Sequence, residues 1–213
     1  MKEELVHRYS EKEERLNILT HAFGLLLSVV GLPYLIIKST DFSGFWKPAS
    51  LIIYGISMII LYAASTFYHA AKEAKLRRKL NIFDHAAIYI LIAGTYTPFT
   101  IIVLEGTIGW VIFGLTWFFA LVGIILKLFY TGRFDKLSTI MYVLMGWQIV
   151  FAIRPLMERF SSEGLKLLIL GGVFYTLGAV LYSIKRLPFN HAIFHIFVIL
   201  GSASHFLCIF YYV

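Results

Sequence analysis

Ile82-Phe-Asp-His-Ala-Ala-Ile-Tyr-Ile-Leu-Ile-Ala-Gly-Thr-Tyr-Thr-Pro-Phe-Thr-Ile-Ile-Val-Leu104 carries one formal charge, Asp84, at its start. A helix that crosses the hydrocarbon core of a bilayer needs ~20 mostly apolar residues, and this run is long enough. Pro98 lies inside it and is expected to kink it. Six further runs of the same kind flank it: Leu16–Ile37, Pro48–Ala70, Ile108–Leu126, Leu137–Ile153, Leu165–Ile184 and Phe189–Val213. The fifth of the seven spans is the weakest, being short and carrying Gln148. Polar or glycine-containing turns separate the runs at Asp41-Phe-Ser-Gly44, Glu105-Gly106, Thr131-Gly-Arg133 and Ser161-Ser-Glu-Gly164. Pro48, Pro155 and Pro188 fall at or next to expected ends. The reading is an all-α polytopic membrane protein with seven transmembrane helices: a short cytoplasmic segment, residues 1–15, and a transmembrane domain, residues 16–213.

Composition agrees. Of 213 residues, 59% are hydrophobic and 15% charged, against ~45–50% and ~25% for a soluble domain. Mean hydropathy is +0.79. A soluble chain this short cannot cover so much apolar surface, so lipid must cover part of it. The net charge of +7 does not indicate nucleic-acid binding, because Lys and Arg sit in short loops between apolar runs, where they set topology and meet headgroups. Cys208 is the single cysteine, which excludes an internal disulfide or a cysteine-based zinc site; it is expected to be a packing residue. The first fifteen residues hold five glutamates, Glu3, Glu4, Glu11, Glu13 and Glu14, which argues against a cleavable signal peptide.

Alternate loops differ in Lys and Arg content. Lys2, Arg8, Lys12, Arg15, Lys72, Lys75, Arg77, Arg78, Lys79, Lys127, Arg133, Lys136, Lys185 and Arg186 fall on one side; Lys38, Lys47, Arg154, Arg159 and Lys166 fall on the other. The positive-inside rule then puts the N-terminus in the cytoplasm and the C-terminus outside, in a multi-pass plasma-membrane protein.

This topology gathers the ionisable groups. Within a membrane such groups are costly and mark function. His69 ends the second span, Asp84 and His85 begin the third, and His191 and His195 begin the seventh, all at the cytoplasmic face. His205 lies ~15 Å beyond His195 at ~1.5 Å per residue. His191 and His195 are four residues apart and share a helix face. With His69 they supply three neutral nitrogens, the number of protein ligands usual at a catalytic Zn²⁺ with an open position. Asp84 could then orient water or act as a base, with Ser65, one turn before His69, as a donor beside it. One carboxylate and one hydroxide would offset the two positive charges of zinc held by three imidazoles. Each residue also has a bland role. Histidines near helix ends snorkel or bind loops, and Asp84 could be a helix N-cap. His21, with Asn17, Glu13 and Glu14, is expected to have a structural role at the start of the first span. His85 is expected to be structural or to lie behind the site, and His205 to hydrogen-bond in the core.

The segments Glu14-Arg-Leu-Asn17 through Thr20-His21, Ser65-Thr-Phe-Tyr-His69, Asp84 through Phe99, and His191-Ala-Ile-Phe-His195 followed by Gly201-Ser-Ala-Ser-His205-Phe form an ordered set. In these segments the chain resembles the bacterial haemolysin III family, related to the progestin and adipoQ receptors and more distantly to alkaline ceramidases. The resemblance implies seven helices, an inside N-terminus and zinc near the cytoplasmic face. It carries the zinc ligands onto His69, His191 and His195, the water-holding aspartate onto Asp84 and the neighbouring serine onto Ser65. The long N-terminal domain of the eukaryotic receptors has no counterpart, which speaks against a protein hormone as ligand. Three functions follow as expectations: a zinc-dependent hydrolase of a membrane lipid amide or ester, a zinc-stabilised receptor or sensor, and a cytolysin, the last with little support in so apolar a chain.

Overall fold

The computed structural model describes residues 9–130 and 137–213 in full, and the backbone of 135 and 136. Its helices are α1 (Glu11–Ser39), α2 (Trp46–Ala70), α3 (Ala74–Pro98), α4 (Gly106–Tyr130), α5 (Asp135–Gly146), α6 (Ile153–Arg159), α7 (Ser162–Ser183) and α8 (Asn190–Tyr212). A π-helical stretch, Phe99–Leu104, continues α3, and a 3₁₀ stretch, Gln148–Ala152, joins α5 to α6. Together they make seven helices long and apolar enough to cross a membrane. There is no strand among the described residues. The chain is an all-α, multi-pass membrane protein.

Two helices start earlier than the hydropathy suggests. Ser10 caps α1 by accepting from the Glu13 N–H, and Glu11, Glu13 and Glu14 oppose the positive end of the helix dipole. The acidic segment is therefore the first turn of the first span. Helix α3 begins at Ala74, ten residues before Asp84, so Asp84 is not an N-cap. The breaks expected at Gly44 and at Glu105-Gly106 are present, with positive φ at all three residues, and Ser161 caps α7 through the Gly164 N–H. The turn expected at Thr131-Gly-Arg133, with Lys2 and Arg8, lies outside the described residues. The disruption expected at Pro98 takes the form of the π-helical stretch, in which Thr100 donates back to the Tyr96 and Thr97 carbonyls.

Helix α3 is the centre of the bundle. The span Ala74–Leu104 has 78% of its apolar window buried, far more than any other. Packing runs α1 to α2 to α3 to α4, and α8 returns to α1, so the first and last spans are neighbours. Helix α7 lies close on α8 because its buried residues are Gly164, Gly171 and Gly178, one every seven residues. A Cβ on Gly171 would stand 2.2 Å from the His205 ring. That ring uses the space: His205 Nε2 donates to the Leu168 carbonyl at 3.0 Å. His205 is thus the expected core hydrogen-bonder, and buried Cys208 is the expected packing residue, its thiol 3.1 Å from the Gly164 carbonyl.

The weak fifth span is broken. Its α-helix stops at Gly146, and Trp147 precedes the 3₁₀ stretch that begins at Gln148. Helix α3 repairs the break: the Tyr96 hydroxyl donates to the Gly146 carbonyl at 2.9 Å and accepts from the Ile149 N–H at 2.8 Å. In hydrocarbon such backbone groups have no water to turn to. Tyr96→Phe is expected to destabilise the fold by about 1–3 kcal/mol, read as a lowered melting temperature in detergent. An unchanged melting temperature would show that the bridge is idle.

Candidate metal centre and cavity

Helix direction alternates along the chain, so the start of α1, the end of α2, the start of α3 and the start of α8 share one end of the bundle. There the buried residues His69, His191 and His195 converge, each offering a ring nitrogen, with the three nitrogens within 4.8 Å of one another. His69 Nε2 and His191 Nε2 are 3.0 Å apart. A tetrahedral ion with bonds of about 2.0–2.1 Å holds its nitrogens roughly 3.4 Å apart, close to the separation of His69 Nε2 and His191 Nε2. The other side of each ring supports this reading for two of the three. His69 Nδ1 meets the Glu14 carboxylate at 2.7 Å. His195 Nδ1 meets the Asn17 carbonyl and the Thr20 hydroxyl, each at 3.3 Å. A carboxylate and a carbonyl only accept, so Nδ1 carries the hydrogen in both rings and Nε2 keeps its lone pair for a metal.

Neutral His191 with its hydrogen on Nε2 donates to His69 Nε2 across this 3.0 Å gap, and an ion bound by both rings would take the place of that hydrogen. Unpartnered buried atoms mark the same place: the Ser65 hydroxyl, His191 Nδ1 and both nitrogens of His21.

His191 and His195, with His69 beside them, stand at one end of a cavity of about 160 Å³ inside the bundle. Along α3 it runs from Asp84 to Tyr96, and along α8 from His191 to His205, a length of roughly 18–21 Å at 1.5 Å per residue. Leu61, Ile88, Leu91, Ile92, Phe194 and Val198 make much of its wall. Helix α7 packs far more closely on α8 than on α5, so the side formed by α5 and α7 is loosely packed. Trp147 crosses that seam to donate to the Thr176 hydroxyl at 2.9 Å.

Asp84 and Ser65 both line this cavity, Ser65 being fully buried and Asp84 8% exposed. Four of the five residues singled out in the sequence, Ser65, Asp84, His191 and His195, therefore border one space, and His69 joins them through its ring nitrogen beside those of His191 and His195. His85 turns its Nδ1 to the Asn81 carbonyl at 2.8 Å, and its own carbonyl accepts from Tyr142, a structural arrangement. His21 does more than support α1. It is buried, lies in the cavity wall and stacks on the His195 ring, with ring centres 3.4 Å apart. Tyr9 stacks on His191 from the opposite side, at 4.8 Å. Burial raises the Tyr9 phenol well above its ordinary range, so it covers the site as a neutral group. Lys127, read as a loop residue, is instead buried in α4 and borders the cavity.

The residues of α1 are what the sequence reading undervalued. Asn17, His21, Gly24, Ser28, Gly31 and Leu35 are its buried face. Their three- and four-residue spacing is visible in the sequence, as a polar and small stripe in an otherwise apolar helix.

A sequence model described as "Haemolysin-III related" matches residues 9–206. The chain belongs to the haemolysin III-related family. It is 44% identical to "Hemolysin-3 homolog" of Bacillus subtilis (strain 168) over 204 residues, 96% of each chain. It is 45% identical to "Hemolysin-3" of Bacillus cereus over 202 residues, 95% of this chain and 92% of that one. A more distant relative is the human "Monocyte to macrophage differentiation factor", 30% identical over 206 residues, 94% of this chain and 84% of that protein. Membership in the haemolysin III-related family agrees with seven spans; the metal and the reaction have to be argued from the site.

Proposed function

We propose that this haemolysin III-related protein is a zinc-dependent hydrolase of a membrane lipid amide or ester, working at the cytoplasmic face of the plasma membrane. The observation that carries the reading is a histidine triad at the head of an elongated, largely apolar cavity that also contains a carboxylate and an unpartnered hydroxyl. His69, His191 and His195 would hold the ion. Zinc so held would polarise the carbonyl and lower the pKa of a bound water to about 7. The apolar walls seat the lipid chain, leave its carbonyl at the histidine end and keep bulk water from the reaction. Asp84 takes a proton from the attacking water and passes it to the departing amine or alcohol, which balances the cleavage. The Ser65 hydroxyl donates to the carbonyl oxygen as it gains charge. The loose α5–α7 side offers a path from the bilayer. On this reading the lysis in the bacterial relatives' names follows from altered membrane lipid, and no pore is needed.

The test is release of free fatty acid by purified, zinc-loaded protein in lipid nanodiscs, across a panel of lipid amides and esters. Release that stops on chelation and resumes with zinc is expected. Zinc-loaded protein that releases nothing across the panel would overturn the hydrolase and leave a zinc-stabilised receptor or sensor.

A further inference from the structure

Glu14 comes from the acidic start of α1, 55 residues from His69 in sequence. Its carboxylate makes three contacts that use both oxygens. Oε2 accepts from His69 Nδ1 at 2.7 Å, and Oε1 accepts from the Arg77 guanidinium and, at 3.4 Å, from the Tyr9 backbone N–H. Arg77 is 3% exposed and stacks on the Tyr68 ring at 4.6 Å. It also donates to the carbonyls of Tyr68, His69 and Ala71 at 3.2, 3.3 and 3.4 Å. These carbonyls are at the end of α2, where the helix leaves acceptors unsatisfied and the dipole favours a cation.

We propose that Glu14, held by Arg77, is a positioning residue for the metal, setting the tautomer, orientation and donor strength of His69 through its Nδ1. The inference rests on the reading of the histidine triad as a metal centre. Glu14 can do this because a carboxylate cannot donate: the hydrogen must lie on Nδ1, and Nε2 is left bare toward His191 and His195. A negative partner also pushes electron density through the ring, making Nε2 a stronger donor to a cation. Arg77 fixes the carboxylate and offsets its charge, so the pair adds no net charge beside the ion. Asn17 is a poorer candidate, its amide nitrogen being 3.5 Å from the same Nδ1. Arg77 belongs to α3 and His69 to α2, so the clasp ties the first three spans at the level of the ligand.

The contact could instead be a staple that only holds helices together. Two variants separate the alternatives. Glu14→Gln keeps an oxygen that accepts from Nδ1–H but removes the charge; Glu14→Ala removes both. Zinc affinity is measured on purified protein by chelator competition, alongside the melting temperature of the metal-free form. The visible absorption of cobalt(II) in place of zinc reports the ligand field. Glu14→Ala is expected to weaken zinc by ~10–100-fold. Glu14→Gln is expected to fall between Ala and wild type, with the metal-free melting temperature of wild type and a shifted cobalt band. Wild-type zinc affinity and cobalt spectrum in both variants would overturn the positioning role and leave the metal centre intact. Wild-type protein that takes up neither metal would overturn the centre itself.

Discussion

Asp84→Ala is expected to abolish the proposed lipid hydrolysis while zinc stays bound. Asp84 lines the cavity together with His191 and His195 but is not one of the three converging ligands. Removing it would take away the group proposed to move the proton and spare the nitrogens proposed to hold the ion. Loss of a positioned general base costs ~10²–10⁴-fold in rate, enough to bring a slow membrane enzyme to background. Asp84→Asn discriminates further: it keeps size and polarity, cannot take a proton, and should be as inactive as alanine. Because Asp84 lies ten residues inside α3, neither change removes a helix cap, and melting temperatures should stay near wild type. The measurement is fatty-acid release per bound zinc. Turnover retained in Asp84→Ala with full zinc would remove Asp84 from the reaction.

The second large effect is expected from replacing His191 and His195 together. They are one turn apart on α8 and provide two of the three nitrogens. Closed structural zinc sites are worth roughly 10–16 kcal/mol of binding free energy, and an open site with three imidazoles relies on each of its ligands. One remaining imidazole retains little of it, and affinity should fall by at least ~10⁴-fold, equivalent to roughly 5.5 kcal/mol. An ion held by His69, His191 and His195 would also join α2 to α8, so its loss should be felt in the fold. Wild type is expected to gain melting temperature when zinc is added after chelation, and His191→Ala/His195→Ala to gain none. Equal stabilisation of both proteins by zinc would place the ion elsewhere.

Much of this was readable from the chain, for a physical reason. Hydropathy reports burial in lipid directly, so all seven spans emerge from windows of about 20 residues. Alternating helix direction then puts His69, Asp84 and His191 at one end of the bundle without any knowledge of packing. What was not readable depends on neighbours distant in sequence. Tyr96 mends the backbone break at Gly146, 50 residues away, and no local pattern announces that pairing. Glu14 was expected to have a structural role at the start of the first span, because its partners His69 and Arg77 are 55 and 63 residues away. His21 was placed on the correct helix but given a supporting role, since one histidine in an apolar run does not reveal which ring it will stack against. The start of α3 was misjudged because Lys75, Arg77, Arg78 and Lys79 resemble a loop, although a helix that emerges from the bilayer carries such residues on its first turns.

The proposed reaction depends on three imidazoles holding one zinc ion at the head of the cavity. X-ray absorption at the zinc edge, on purified protein with its metal content determined, reads that coordination. Near-stoichiometric zinc is expected, with three nitrogen scatterers at about 2.0–2.1 Å and the multiple-scattering pattern of imidazole, in a four-coordinate site. A zinc shell of oxygens without imidazole scattering, or protein that retains no zinc when purified without chelators, would contradict it.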